Sequence, residues 1–173
     1  TKGLMREKRQ RVPFDLLVPA IHGTNGEDGT LQGLLDFASI PYAGCRPLGA
    51  AATMNKVFAK QAARNAGINV LPELLLTRPA RGVFLEPETL KGQLIDALGA
   101  ETYPLIVKPC NLGSSVGVAK ANDIDDLVAA LMSAFRLDNE VIVEPFVPNL
   151  VEYNIACRRD ENGVVQTSAI ERP

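Results

Sequence analysis

A lysine at the end of an apolar strand, followed closely by a run of small residues, can hold a polyphosphate. Residues 103–120 read Tyr-Pro-Leu-Ile-Val-Lys-Pro-Cys-Asn-Leu-Gly-Ser-Ser-Val-Gly-Val-Ala-Lys. Leu105 to Val107 reads as the strand, Lys108 as a point charge at its end, and Gly113-Ser114-Ser115-Val116-Gly117 as a loop. The ammonium attracts phosphate, and small residues let backbone N–H groups and hydroxyls come close to its oxygens. The segment is not a Walker A loop, because Lys108 precedes the glycines and no Gly-Lys-Ser/Thr opens a helix. The dinucleotide fingerprint Gly-x-Gly-x-x-Gly is also absent. On local sequence alone, an ordinary turn between strands is the alternative reading, since Gly and Ser are common turn residues.

The flanking chain must supply the elements that position this loop. Phe14–Ala20 is a short apolar run and predicts a buried parallel strand ending at His22. Asp28 or Thr30 can cap a helix with Leu31, Leu34, Leu35 and Ala38 on its apolar face. Pro41-Tyr42-Ala43-Gly44 breaks it. A second helix is predicted from Thr53 to Asn65, stopping near Gly67. Val70–Leu76 reads as a strand, Arg78–Gly82 as a loop, and Pro87 as the start of a helix to Leu98. After the glycine loop, Val116–Ala119 reads as the return strand. Asn122-Asp123-Ile124-Asp125 opens a helix with Ile124, Leu127, Val128, Leu131 and Phe135 at helical spacing. Glu140–Glu144 and Glu152–Arg158 read as strands. Asp160-Glu161-Asn162-Gly163 is a hairpin turn into a strand from Val164. The fold class is therefore α/β.

Composition narrows the partners. The 173 residues are 46% hydrophobic and 22% charged, with a net charge of −2. That balance suits a globular protein and steers it toward neither nucleic acid nor a membrane surface. With 5% aromatic residues and no Trp, base stacking also finds little support. No apolar run approaches the roughly 18–20 residues needed to span a bilayer. The start, Thr1 to Arg9, is charged and lacks a signal-peptide apolar region. Cys45, Cys110 and Cys157 stand far apart without Cys-x-x-Cys, which argues against a disulfide framework or a zinc site. Reduced cysteines suit a cytoplasmic protein. Cys110 reads as a spacer rather than a nucleophile, with no histidine near it in sequence to activate it.

Two further stretches sharpen the reading: His22-Gly23-Thr24-Asn25-Gly26-Glu27-Asp28-Gly29, and Thr53-Met54-Asn55-Lys56. With Gly113–Gly117, in this order and at these separations, they resemble D-alanine–D-alanine ligases of the ATP-grasp superfamily, from about Phe14 to Glu152. The resemblance implies an ATP-grasp fold. Residues 1–52 would be the end of an N-terminal α/β substrate domain, 53–148 the central lid domain, and 149–173 the start of an incomplete C-terminal domain. The implied reaction is ATP-dependent. One D-alanine carboxylate is phosphorylated to an acyl phosphate with magnesium present, and a second D-alanine's amine displaces phosphate, for peptidoglycan precursor synthesis. Related ligases use D-lactate or D-serine as acceptor, and a non-catalytic ATP-binding fragment is the rival from another class. The family's opening βαβ region and its metal-bearing segment fall outside this chain. The expectation is therefore that magnesium ligands lie elsewhere and that the chain alone is inactive.

The resemblance also implies site roles. Lys56 and Lys108 grip nucleotide phosphates, although the family commonly has aspartate where Asn55 stands. Ser114 orients substrate and loop contacts, while Ser115 and the Val116 N–H meet phosphate. Glu144 and Glu152 read the adenosine, and Phe146 and Val147 cover the purine at the hinge. Residues 145–151 are one residue longer than usual, which loosens the Glu152 assignment. His22 and Glu27 lie near the first D-alanine. The plain alternatives are a solvated helix lysine, a serine-rich turn, edge-strand glutamates and a histidine that bonds only its own loop. Lys120, past the return strand, is expected to matter little. Val164, Val165 and Ile170 are expected to lack covering partners, which makes a homodimer possible.

Overall fold

A computed structural model describes residues 12–83 and 85–173. Its centre is a four-stranded antiparallel sheet in the order β1-β4-β2-β3, formed by Leu74–Thr77 (β1), Leu105–Pro109 (β2), Ala119–Ala121 (β3) and Glu140–Pro145 (β4). Strand side chains alternate between faces, so each strand divides its residues between two environments. One face carries Leu74, Leu76, Leu105, Val107, Val141 and Val143, all buried. Two helices cover it, α4 (Pro87–Leu98) with Leu90 and Leu94, and α5 (Ile124–Ala134) with Leu127, Leu131 and Ala134. The other face carries Ile106, Lys108, Ile142 and Glu144, and this is where the polar chemistry collects.

Local rules explain several boundaries. Pro87 opens α4 and Gly99 closes it at φ 82. Asp123 caps α5 by accepting the Asp126 N–H at 2.9 Å, and the predicted stripe Ile124, Leu127, Val128, Leu131, Phe135 meets the core. Gly67 (φ 74) follows α3 (Lys56–Asn65), and the Ile68 N–H reaches back to the Ala63 carbonyl at 2.9 Å, the αL stop of a Schellman motif.

Other boundaries differ from the sequence reading. The helix predicted over 53–65 is two helices, α2 (Pro47–Met54) and α3. Asn55 stands between them in extended conformation (ψ 117), and its Oδ1 accepts the Val57 and Phe58 N–H groups at 2.9 and 3.1 Å. An Asx cap competes with continued helix, which propensity within a helical window does not reveal. α1 (Thr30–Phe37) forms, but Gly29 rather than Asp28 or Thr30 stands at its N-cap, in the left-handed region open to a residue without a side chain, and it buries Gln32 and Leu35 while Leu34 is exposed. Phe14–Ala20 is not a strand. It makes one parallel bridge, Leu17 to Tyr42, and Phe14, Leu16 and Val18 are exposed. A buried parallel strand needs neighbours on both sides and cover on both faces, and the described residues supply one partner. The return strand begins at Ala119, because Val116 and Gly117 are spent in turns. Of the strand predicted over Glu152–Arg158, only its end forms, as Cys157–Arg159 (β5). It pairs with Val165–Thr167 (β6) across the predicted turn, and Asn154 makes a single bridge to Glu171. Val164, Val165 and Ile170 are exposed, as expected. No helix of the described residues is long and apolar enough to cross a membrane.

Candidate active site

Lys56, Lys108, Ser114, Ser115, Phe146, Val147 and Glu152 line a single cavity of about 730 Å³. They are up to nearly a hundred positions apart in the chain, and three devices bring them together. β2 carries Lys108 on the sheet's polar face beside Ile106, which also lines the cavity. The N-terminus of α3 brings Lys56 over the end of β2. Its backbone N–H donates to the Cys110 carbonyl at 3.0 Å, and its Nζ donates to the carbonyls of Pro109 (2.9 Å) and Leu112. Burial holds the Lys56 ammonium below the usual lysine range. A Pro148-Asn149 turn, with Asn149 at φ 54, returns the chain so that Glu152 reaches the same cavity.

The α3 contact is braced further. Asn55 Nδ2 donates to Asn111 Oδ1 at 2.7 Å, and Asn111 donates its own N–H (2.6 Å) and amide to Asp138. Burial works against the Asp138 charge, but these donors and the Asn139 and Glu140 N–H groups hold its carboxyl below the ordinary range. An aspartate at 55 could cap the helix equally well but could not donate to Asn111. Asn55 therefore matches its partner in this chain.

The glycine loop folds as two successive turns. The Val116 N–H donates to the Gly113 carbonyl at 3.0 Å, and the Val118 N–H to the Ser115 carbonyl at 3.2 Å. The two central residues of the first turn, Ser114 (φ 50) and Ser115 (φ 58), both lie in the left-handed region. Non-glycine residues there are uncommon, and such conformations gather at functional sites. Gly117 (φ 73) is required on two grounds: its φ, and a side-chain carbon there would lie 2.7 Å from Leu137 and 2.8 Å from Pro109. Val116 is exposed beside the cavity, and its N–H already serves the Gly113 turn.

Glu144 lies beneath the cavity rather than in its wall. It is 5% exposed and joins a chain of ion pairs. Lys108 Nζ is 2.6 Å from Glu144 Oε2. Lys60 bonds Glu144 Oε1 and also lies 2.8 Å from Glu73 Oε2, and Arg64 pairs with Glu73. Burial raises the Glu73 pKa, but Arg64 and Lys60 outweigh it and hold it below the ordinary value. Lys60, Arg64 and Glu73 were not singled out in the sequence. A signal existed: Lys56, Lys60 and Arg64 recur every four residues, which lays a basic stripe along one face of α3. Lys120, expected to matter little, has a neighbour the sequence did not show. It pairs in register with Ile106, and its Nζ lies 4.4 Å from the Phe146 ring centroid.

His22 and Glu27 line a separate cavity of about 290 Å³. Thr53 lines both cavities and so marks where they adjoin. Glu27 Oε1 lies 3.5 Å from His22 Nδ1, while Oε2 accepts the Gly23 N–H at 2.7 Å. The Gly23 bond, with His22 assisting, holds the exposed Glu27 carboxyl below its usual range. Cys110 is fully buried, and burial with nearby Asp138 and Glu140 pushes its thiol up to about 12. A thiol that stays protonated is no nucleophile, in keeping with the spacer reading. Among the described residues, no group of three or more His, Cys, Asp or Glu side chains is placed to hold a metal ion.

Comparisons with known proteins point to one family. The family model for the D-ala D-ala ligase N-terminus matches residues 2–45, and that for the D-ala D-ala ligase C-terminus matches residues 62–172. A D-alanine–D-alanine ligase of Methylobacterium sp. (strain 4-46) is 42% identical over 156 residues, 90% of this chain and 38% of that protein. The ligase of Wolinella succinogenes is 39% identical over 173 residues, 99% of this chain and 45% of that protein. Among solved structures, the D-alanine–D-alanine ligase of Coxiella burnetii superposes with a TM-score of 0.78 at 32% identity, over 93% of this chain and 45% of that one. The VanG D-Ala:D-Ser ligase of Enterococcus faecalis gives 0.74 at 33% identity, over 93% and 43%. The chain thus spans under half the length of these relatives. The fold is ATP-grasp, and the chain belongs to the D-alanine–D-alanine ligase family.

Proposed function

We propose that this chain is the nucleotide-gripping part of an ATP-dependent ligase that joins two D-alanines. The observation that carries this reading is the cavity shared by Lys56, Lys108 and the left-handed Ser114-Ser115 turn. In the proposed roles, Lys108 and Lys56 neutralise the phosphates and Ser115 donates its hydroxyl to them. The Val116 N–H adds to these contacts only where the Gly113 turn opens. Ser114 orients the reacting groups. Phe146 and Val147 cover the purine, Glu152 takes the ribose hydroxyls, and Glu144 supports the adenine edge. His22 and Glu27, next to the cavity through Thr53, hold the first D-alanine.

The carboxylate oxygen of the first D-alanine attacks the γ-phosphorus, the bond to ADP breaks, and an acyl phosphate forms. The amine of the second D-alanine attacks the acyl carbon, phosphate leaves, and the nitrogen gives up a proton. Positioning and charge neutralisation carry most of such a reaction. Magnesium is the cofactor proposed with ATP, bound by groups other than a cluster among the described residues. Residues 1–52, 53–148 and 149–173 are the proposed domain pieces. The proposed setting is the cytoplasm, with peptidoglycan precursors as the destination and a homodimer as the assembly to test by light scattering.

The test is phosphate release by the encoded protein with ATP and D-alanine, beside D-serine and D-lactate as acceptors. Release that needs D-alanine and yields the dipeptide supports the reading. Release preferring D-serine or D-lactate moves the acceptor, and ATP binding without release leaves a binding module.

A further inference from the structure

We propose that Lys60 is a positioning residue that keeps the buried Glu144 from trapping Lys108, leaving Lys108 available to a nucleotide phosphate. This rests on the reading of Lys108 as a phosphate-binding lysine. Lys60 does not line the cavity, so its effect must pass through another residue.

The argument is one of charge balance in a closed network. Five side chains form it: Lys108, Glu144, Lys60, Glu73 and Arg64. Three are cations and two are anions. When Lys108 turns to a phosphate, Lys60 and Arg64 still balance Glu144 and Glu73, and both carboxylates keep a partner. Lys108 is the surplus cation. Its geometry agrees, because it is the outermost lysine of the network, with its side chain 31% exposed against 13% for Lys60.

Without the Lys60 charge, the count reverses. Arg64 pairs with Glu73, and Glu144, with its side chain only 6% exposed, keeps Lys108 as its one direct ion-pair partner among the described residues. A phosphate would then have to remove Lys108 from a buried carboxylate left with no other direct ion-pair partner among the described residues, which is far more costly than sharing a cation. Glu73 gives Lys60 its second anchor, so Lys60 stays at Glu144 while Lys108 moves.

The experiment measures Mg–ADP affinity by calorimetry, and KM for ATP against kcat, on the whole encoded protein. Lys60→Met should raise the Mg–ADP Kd and the KM for ATP by about tenfold to a hundredfold, with kcat changing little, since a charge-assisted contact is weakened. Lys60→Arg should restore affinity. In a Glu144→Gln background, where nothing traps Lys108, Lys60→Met should do much less. This non-additivity marks action through Glu144. If Lys60→Met does not fold, neutral Lys60→Gln carries the same comparison. Native-like affinity in the neutral variants, failure of Lys60→Arg to rescue, or equal effects in both backgrounds would each overturn this proposal alone. A native protein that does not bind Mg–ADP would overturn the ligase reading and this proposal with it.

Discussion

Ser115 occupies a backbone position that β-branched side chains avoid, at φ 58, and it also faces the cavity. Ser115→Val therefore removes a hydroxyl and strains the turn at once, whereas Cys110→Ala only empties a buried site. We expect Ser115→Val to cut ATP turnover severely and Cys110→Ala to leave kcat near native while lowering stability. Loss of turnover with an intact fold in Cys110→Ala would require a cysteine mechanism. The two lysines near the loop make a second contrast. Lys108→Ala removes a charge-assisted phosphate contact and should cost about 1.5–3 kcal/mol of nucleotide binding. Lys120→Ala removes a cation over the Phe146 ring, a contact of about 0.5–1 kcal/mol at an exposed site. Equal Kd changes in a titration with Mg–ADP would sink the assignment. The motif residues were legible because each belongs to a short, ordered string. Lys120, Lys60 and Glu73 were not, because register and helix packing set their partners, not neighbours in sequence.

Among the elements, the turn at 113–118 depends most on one residue. Gly117 has a positive φ and no room for a side chain between Leu137 and Pro109, two residues that tie the loop to the end of β2 and to α5's exit. Gly117→Ala adds backbone strain to overpacking, and overpacking alone typically costs about 1–3 kcal/mol. The measurement is the urea midpoint, with the Mg–ADP affinity falling alongside it. A Gly117→Ala protein with unchanged midpoint would show that the loop has another conformation to adopt. α4 and α5 were legible to within a residue because Pro87, Gly99 and Asp123 mark their ends chemically. The break at Asn55 was hidden, because its cap bonds resemble helix continuation until the Asn111 partner is known. The Phe14–Ala20 run shows the converse failure: apolar character alone does not make a strand without partners to complete its ladder.

At the scale of the whole molecule, the α/β class followed from periodicity, whereas the division of the sheet into an apolar and a polar face came only with the strand register. The antiparallel order β1-β4-β2-β3 did not follow from periodicity either, since strand order depends on contacts distant in sequence. On either side of β2 lie two groups whose ionisation folding opposes, the buried Cys110 and the half-buried Tyr103, and they predict how stability responds to alkali. Burial first, then Asp138 and Glu140, pushes the Cys110 thiol from 9.0 to about 12, and burial with Glu101 pushes the Tyr103 phenol from 10.0 to about 12. Both groups are neutral in both states below pH 9, so their contribution is then fully present. As pH rises past 9.0 the unfolded chain releases the Cys110 proton while the folded protein keeps it, and past 10.0 the same holds for Tyr103. Each released proton favours the unfolded state, so stability falls with pH until the folded values near 12 are passed. We expect the urea midpoint to hold steady from pH 7 to about 8.5 and then to decline. Cys110→Ala, less stable at neutral pH through lost burial, removes one of the two titrations, so its deficit against the native protein should shrink between pH 8.5 and 10.5. Midpoints that stay parallel across that range would mean the Cys110 thiol titrates alike in both states, and the fully buried packing seen at the end of β2 would be wrong.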